Sequence, residues 1–225
     1  MATDARDRAG PASSRAEHLR ASPPMFSSPA LDRFTRVHVA VVPAVFVPVV
    51  LVHAVLALQE LTPAAVAGWA FAGYVFWTLT EYSLHRVVFH YEPRRGLGVR
   101  LHWMLHGVHH DHPNDPMRVV MPPGASLPLA AAFALLFQLV LSSAAAWAFG
   151  AGFFAGYLVY DLTHFRIHHT RPRTRLGRRL REHHLRHHFS DHTTAFGVST
   201  PFWDFVFGTT PRRSRRAQNP QNVRS

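Results

Sequence analysis

Between Val37 and Thr80 the chain runs for 44 residues with Glu60 as its only charged side chain, and between Val119 and Tyr160 it runs for 42 residues with none. A helix needs about 20 apolar residues to cross the hydrocarbon core of a bilayer, so each tract predicts two crossings. Turn chemistry falls near the middle of each: Thr62-Pro63 in the first and Gly150-Ala151-Gly152 in the second. The pattern predicts two helical hairpins, with spans over 37–59, 64–83, 126–148 and 151–167. Pro43 and Pro48 in the first span are tolerable kinks where neighbouring helices re-satisfy the backbone. Two buried hairpins in a water-soluble helical protein are the competing reading, and uncharged runs of this length disfavour it.

The flanks differ in kind. Residues 1–36 are polar, rich in Ala, Ser, Pro and Arg and without hydrophobic periodicity, and are expected to form a disordered or surface-lying lead-in. They hold no short apolar segment followed by a small-residue cleavage site, so no cleaved signal peptide is expected. Residues 37–210 are expected to form one membrane-embedded domain, and 211–225 a basic C-terminal tail.

Charge orients this arrangement. All 24 basic side chains are arginine, and they lie before, between or after the two hairpins, never in the short connections near 60 and 150. An excess of arginine marks the cytoplasmic side, so the segments 86–118 and 166–216 are expected there, with both termini. That placement accounts for much of the formal charge of +11, and neither an aromatic nor an arginine-rich base-recognition motif is present, so nucleic acid is not an expected partner. The absence of cysteine excludes disulfides, thiolate metal sites, iron–sulfur clusters and cysteine nucleophiles. Absent lysine with abundant Ala and Arg fits a GC-rich bacterial genome, hence a bacterial plasma membrane.

The candidate chemistry lies in histidine. Of 18 histidines, 15 fall between His85 and His192, in four groups on the expected cytoplasmic side. His85 and His90 follow the second span; His106, His109 and His110 lie in the segment after it. His164 and His168 stand at the foot of the fourth span; His184, His187 and His188 follow. Positions i, i+3 and i+4 share a helix face, so 106/109/110 and 184/187/188 each present three imidazoles together, and 164/168 present two. The five-residue step from His85 to His90 suits a helix end or a local loosening. Neutral imidazole is a good ligand for Fe, Zn, Cu and Ni. Ten exceed the needs of one ion and suit two, with about five nitrogens each. A solvated histidine patch is the bland alternative, and recurrence of four groups at one membrane face disfavours it. His18, His38 and His53 lie apart, His53 high in the first span as a helix-packing group. His102, His112, His169, His183 and His192 are expected to be neighbours of the site or surface groups. Glu81 and Asp161, four and three residues before ligand candidates, are expected to orient an imidazole through its far N–H.

These motifs resemble the fatty acid hydroxylase/sterol desaturase superfamily, most closely the fatty acid 2-hydroxylases, over about residues 65–210. The resemblance is carried by Glu81…His85-Arg86…Phe89-His90 and by the run from His106 through His112-Pro113-Asn114-Asp115-Pro116-Met117-Arg118 to Pro123. Gly156-Tyr157-Leu158-Val159-Tyr160-Asp161-Leu162-Thr163-His164, the triplet His184/His187/His188, and Phe196 to Thr209 complete it. It implies metal binding by His85, His90, His106, His109, His110, His164, His168, His184, His187 and His188. It also implies an all-α, integral-membrane fold: four transmembrane helices in two hairpins, with a cytosolic helical cap holding a dimetal site over a lipid-facing cavity. The five-residue His85–His90 step favours the fatty acid and carotenoid branches over the sterol oxidases. Some members carry a fused cytochrome b5 domain; the lead-in is too short for one and no His-Pro-Gly-Gly haem motif is present.

The expected function is O₂-dependent hydroxylation of a lipid acyl chain at the carbon next to the carbonyl, by two Fe ions, with Zn a possible substitute in purified protein. A separate electron donor, ferredoxin or cytochrome b5-like, is expected. A lipid sliding in from the bilayer would bring carbons near its head group closest to such metals. Carotenoid ring hydroxylation and lipid desaturation are the enzymatic alternatives. A membrane metal carrier is the non-enzymatic one, disfavoured because a carrier places its ligands near the bilayer midplane.

Overall fold

The computed structural model describes residues 14–211, and among these the regular structure is entirely helical, with no strand. Two short helices open the chain, α1 (Arg15–Arg20) and α2 (Pro29–Phe34). The first hairpin follows: α3 (Val41–Leu58) and α4 (Pro63–Ser83). Thr62 caps α4 by accepting from the Ala65 N–H at 3.3 Å, and Pro63 at the first helical position has no N–H to leave orphaned. A cap segment comes next, with α5 (Leu97–His102) and α6 (Val108–Asp111) separated and preceded by π-helical turns over Trp103–Gly107 and Leu84–Phe89. The second hairpin is α7 (Pro123–Val140) and α8 (Ser143–His169). The cap closes with α9 (Arg175–Phe189) and α10 (Phe202–Val206).

Helices α3, α7 and α8 are long and apolar enough to cross a membrane. Helix α4 has the length, at 21 residues, but its last turns carry Thr78, Thr80 and Glu81. Outward-facing Leu51, Val55, Phe71, Leu135 and Leu139 are exposed on this bundle, the surface expected of helices that meet lipid rather than water.

The second hairpin turns elsewhere than its glycines suggest. The chain reverses at Leu141–Ser142, and α8 runs unbroken through Gly150-Ala151-Gly152. These glycines serve close packing. A Cβ on Gly152 would stand 1.7 Å from the Ala70 carbonyl oxygen, and one on Gly73 would stand 2.0 Å from that of Phe149, so α4 and α8 touch backbone to backbone. Gly150 makes room for the His53 ring and Gly156 for Trp77. Small residues that let apolar helices approach are a membrane-bundle device, and a turn-rich composition hid it. Around α8 the core gathers Phe46, Trp77, Phe137, Phe153, Phe154 and Tyr157.

The part of the lead-in within the described residues is folded against the cap, where its composition predicts disorder or a surface course. Buried Arg118 reaches the Pro23 carbonyl at 2.7 Å, Thr35 Oγ1 at 2.9 Å and Asp32 Oδ1 at 3.2 Å. The Val37 N–H donates to the Met117 carbonyl at 2.8 Å, and the Asn114 N–H to that of Leu19 at 3.0 Å. Residues 1–13 and 212–225, most of the expected tail, lie outside the described residues.

Candidate metal centre

The five-residue step between His85 and His90 is spanned by the π-helical turn Leu84–Phe89, which extends α4 past its last α-helical residue. An i→i+5 turn brings residues five apart onto one face, so both imidazoles project into the same space. A second π-turn, Trp103–Gly107, delivers His106, and α6 delivers His109 and His110. The foot of α8 supplies His164 and His168, and α9 supplies His184, His187 and His188. Helix α9 sets its histidines inward and a run of exposed arginines outward.

The ten imidazoles converge as two sets of five. His85, His90, His106, His110 and His187 form one; His109, His164, His168, His184 and His188 form the other. Within each set one ring nitrogen per residue lies within 4.8 Å of all the others. Each triplet is divided between the sets, two rings to one and one to the other. The stacked rings of His110 and His188, 4.2 Å apart, join the two sets.

Their spacing tests whether a metal fits. His106 Nε2 faces both His85 Nε2 at 3.1 Å and His110 Nε2 at 3.0 Å; His184 Nε2 faces both His168 Nε2 and His188 Nε2 at 3.0 Å. A ring nitrogen carries one hydrogen or one lone pair, so it cannot serve two such neighbours by hydrogen bonding. Adjacent ligands about 2.1 Å from a common ion stand about 3.0 Å apart, which matches these contacts. Burial also keeps the rings neutral. It holds His85, His106, His109, His184 and His188 well below the usual imidazole range. It takes His90 to about 3, His110 to about 2 and His187 to about 4. Uncharged imidazoles with inward lone pairs are the donor set a transition metal takes.

Neither carboxylate of the sequence reading touches an imidazole. Glu81 accepts from the amides of Val198 at 2.7 Å and Ser199 at 2.8 Å, and from the Ser199 hydroxyl. Asp161 accepts from the Tyr157 hydroxyl at 2.9 Å and the Met121 amide at 3.4 Å. The far nitrogen of His85, the ring one turn from Glu81, is already taken by the Phe196 carbonyl at 2.5 Å. The sequence reading included Phe196 to Thr209 in the resemblance but gave the loop no part in holding histidines and did not single out Asp204, which accepts from His183 at 2.9 Å; an acidic residue among apolar ones, Phe-Trp-Asp-Phe-Val, was the available signal.

The remaining histidines stand outside both sets. His53 donates to the Val49 carbonyl of its own helix at 2.8 Å and packs on Trp147 and Phe154 of α8. His112 donates to the His18 carbonyl at 2.6 Å. His18, His38 and His192 are exposed, and His102, His169 and His183 half-buried.

A cavity of about 390 Å³ opens beside the centre, walled by His106, His109 and His164 on one side and by Met25, Phe26, Leu31 and Phe34 of the lead-in on another. Tyr160, Met121 and Phe89 also line a narrower apolar cleft that reaches Trp77, Phe133 and Phe153 inside the bundle. The shared residues carry a largely apolar lining from the bundle to the histidines.

Comparison with known proteins agrees with this architecture. The family model described as fatty acid hydroxylase matches residues 70–209. A ceramide very long chain fatty acid hydroxylase of Schizosaccharomyces pombe is 35% identical over 200 residues, covering 87% of this chain and 57% of the relative. A dihydroceramide fatty acyl 2-hydroxylase of Arabidopsis thaliana is 36% identical over 190 residues, covering 84% and 80%. The solved structure of full-length Scs7p, in which only the hydroxylase domain is visible, superposes with a TM-score of 0.78 at 37% identity, over 81% of this chain and 70% of that one. The chain thus spans little more than half the length of the fission yeast relative.

Proposed function

Because the chain belongs to the fatty acid hydroxylase family, we propose that it is a membrane oxidoreductase that hydroxylates a lipid acyl chain with O₂, at the carbon next to the carbonyl. The observation that carries this is the pair of five-imidazole sets beside a largely apolar cavity, into whose wall they put His106, His109 and His164. The activities named for the relatives, ceramide very long chain fatty acid hydroxylation and dihydroceramide fatty acyl 2-hydroxylation, support the substrate class and position.

His85, His90, His106, His110 and His187 would hold one iron and His109, His164, His168, His184 and His188 the other. The irons would supply O₂ activation and the oxidising power an unactivated C–H bond demands, which no protein side chain has. Zinc takes the same sites when iron is scarce, by the usual affinity order. The residues of the chain bind and place the substrate. Phe133, Phe153 and Trp77 receive the apolar tail, and Asp161, pinned by Tyr157 and Met121, presents a fixed acceptor beside the histidines. Dry walls keep water from the reacting carbon.

The arginine distribution supports four crossings by α3, α4, α7 and α8, with the histidines on the cytoplasmic face of a bacterial plasma membrane. Reporters fused near Glu60 or Ser142 should read outside and one after Pro211 inside; an inside reading at Ser142 would break this topology.

Lipid mass spectrometry of cells with and without the gene tests the reaction. The expected product is a lipid heavier by one oxygen, hydroxylated next to the acyl carbonyl and labelled from ¹⁸O₂. Oxygen derived from water would exclude an oxygenase, an unsaturated acyl chain would identify a desaturase, and a hydroxylated carotenoid ring would reassign the substrate.

A further inference from the structure

The two sets of histidines differ in what holds them from behind. In the set containing His85 and His187, both of these rings are anchored: the His85 Nδ1–H donates to the Phe196 carbonyl at 2.5 Å and the His187 Nδ1–H to the Thr194 carbonyl at 2.6 Å. The two carbonyls flank Ala195, whose φ of 61° lies in the left-handed region, a conformation unfavourable for an L-residue. The loop holds it by force of hydrogen bonds. The Ala195 N–H donates to the Thr209 carbonyl at 2.8 Å.

Asp204, with no exposed surface, accepts from the Phe196 amide, the Gly197 amide and the Thr209 hydroxyl at 2.8 Å each, and from His183 at 2.9 Å. Glu81 grips the next two amides, those of Val198 and Ser199. Gly197 fits here because a Cβ would stand 2.1 Å from the Thr200 carbonyl oxygen. Two buried carboxylates therefore fix a loop, and the loop fixes two imidazoles.

The other set has no such support. His109 and His164 have both ring nitrogens buried without a hydrogen-bond partner, and His168, His184 and His188 have their Nδ1 in that state. In the first set Nδ1 of His90, His106 and His110 has no partner either, so the contrast is two anchored rings of five against none. A ligand imidazole whose far N–H is bound to a carbonyl has its tautomer and orientation set and its lone pair made more basic, worth roughly 10–100-fold in metal affinity.

We propose that the two metals are held unequally: tightly by the set containing His85 and His187 and exchangeably by the set containing His109 and His164, with Asp204 the positioning residue that makes the difference. This rests on the reading that the ten histidines bind two ions. Partial occupancy after purification then has a definite structure, with the second set emptying first.

The test uses the full chain in detergent, saturated with Zn²⁺ and titrated with a chelator while bound zinc is counted by mass spectrometry. Wild type should release its zinc in two steps of about one ion each, separated roughly 10–100-fold in free chelator. His168→Ala should delete the early step and His187→Ala the late one. Asp204→Asn, which keeps the shape but turns one acceptor into a donor, should move the late step toward the early one and leave the early step in place. A general loss of folding would move both. Where Asp204→Asn yields no folded protein by helix content, Thr209→Val, which removes one of the four donors, should shift the late step in the same direction by less. Release of both ions in a single step, or a late step unmoved by these variants, would overturn the proposal. Fewer than two ions at saturating zinc would sink the dimetal reading, and this inference with it.

Discussion

A histidine in a buried cluster of like rings is costly unless something shares its lone pair, and that cost separates ligand positions from bystanders. His109 is buried, with both nitrogens unpartnered and rings of the second set on three sides. His112, three residues on, is also buried, but its Nδ1 is bound to the His18 carbonyl. His109→Ala, His168→Ala and His187→Ala should each reduce hydroxylation to background and lower metal content by about one ion per chain. His112→Ala should keep both and cost about 1 kcal/mol of stability for the lost hydrogen bond. Metal analysis beside an activity assay separates the two; equal loss in His112→Ala would void the assignment. The convergence of eight of these rings was legible in the sequence because i, i+3, i+4 spacing is a property of a helix face, independent of what packs on it, while His85 and His90 needed the π-helical turn. The roles of Glu81 and Asp161 were not legible. Glu81 meets a loop 117 residues away, and only folding reveals that partner.

At the scale of elements, hydropathy located the helices and misplaced one turn. Lack of charge shows that a segment is apolar, but glycine marks close helix contact as readily as reversal. The turn at Leu141–Ser142 carries no glycine or proline, whereas Gly150 and Gly152 sit where α8 meets His53 and Ala70. The π-turns were half legible. The His85–His90 step suited a helix end or a local loosening, and the second proved to be the case; nothing in the spacing of 106/109/110 pointed to the other. The lead-in was the larger surprise, because its order depends on Arg118, far along the chain. The Met25 N–H, Arg36 and Arg118 outweigh burial at Asp32 and hold its carboxyl down at about 2. Asp32 is therefore ionised throughout the physiological range and fixes Arg118 as its counter-ion. Asp32→Ala should weaken this docking by roughly 1.5–3 kcal/mol. Amide exchange over 19–36 should speed up by about one to two orders of magnitude, with metal content unchanged. Loss of metal in that variant would mean the lead-in supports the histidines as well as the cavity wall.

The whole molecule is polarised: apolar helices at one end, and at the other a cap in which α9 separates its histidines from a field of positive charge. Arg171, Arg173, Arg175, Arg178 and Arg179 are all exposed and lie just before α9 or in its first turns. A helix is only about 10 Å across, so a redox protein resting on that face would lie one helix from the ligands. No haem, flavin or nucleotide motif appears in the sequence, which is why an outside donor is proposed, and an acidic ferredoxin or cytochrome b5-like protein has the complementary charge. Long-range attraction of this kind raises the encounter rate and is screened over about 8–10 Å at physiological salt. Turnover with such a donor should fall several-fold between low and about 0.5 M salt. The double variant Arg178→Glu/Arg179→Glu should raise the donor concentration needed for half-maximal rate roughly tenfold, with little change in the rate at saturating donor. The same arginines could instead meet anionic lipid phosphates, a contact that would tie salt dependence to membrane composition. Measuring turnover in neutral and in anionic bilayers separates the two. A salt effect confined to anionic bilayers, or rates indifferent to ionic strength in both, would remove the reason for placing the donor on this face.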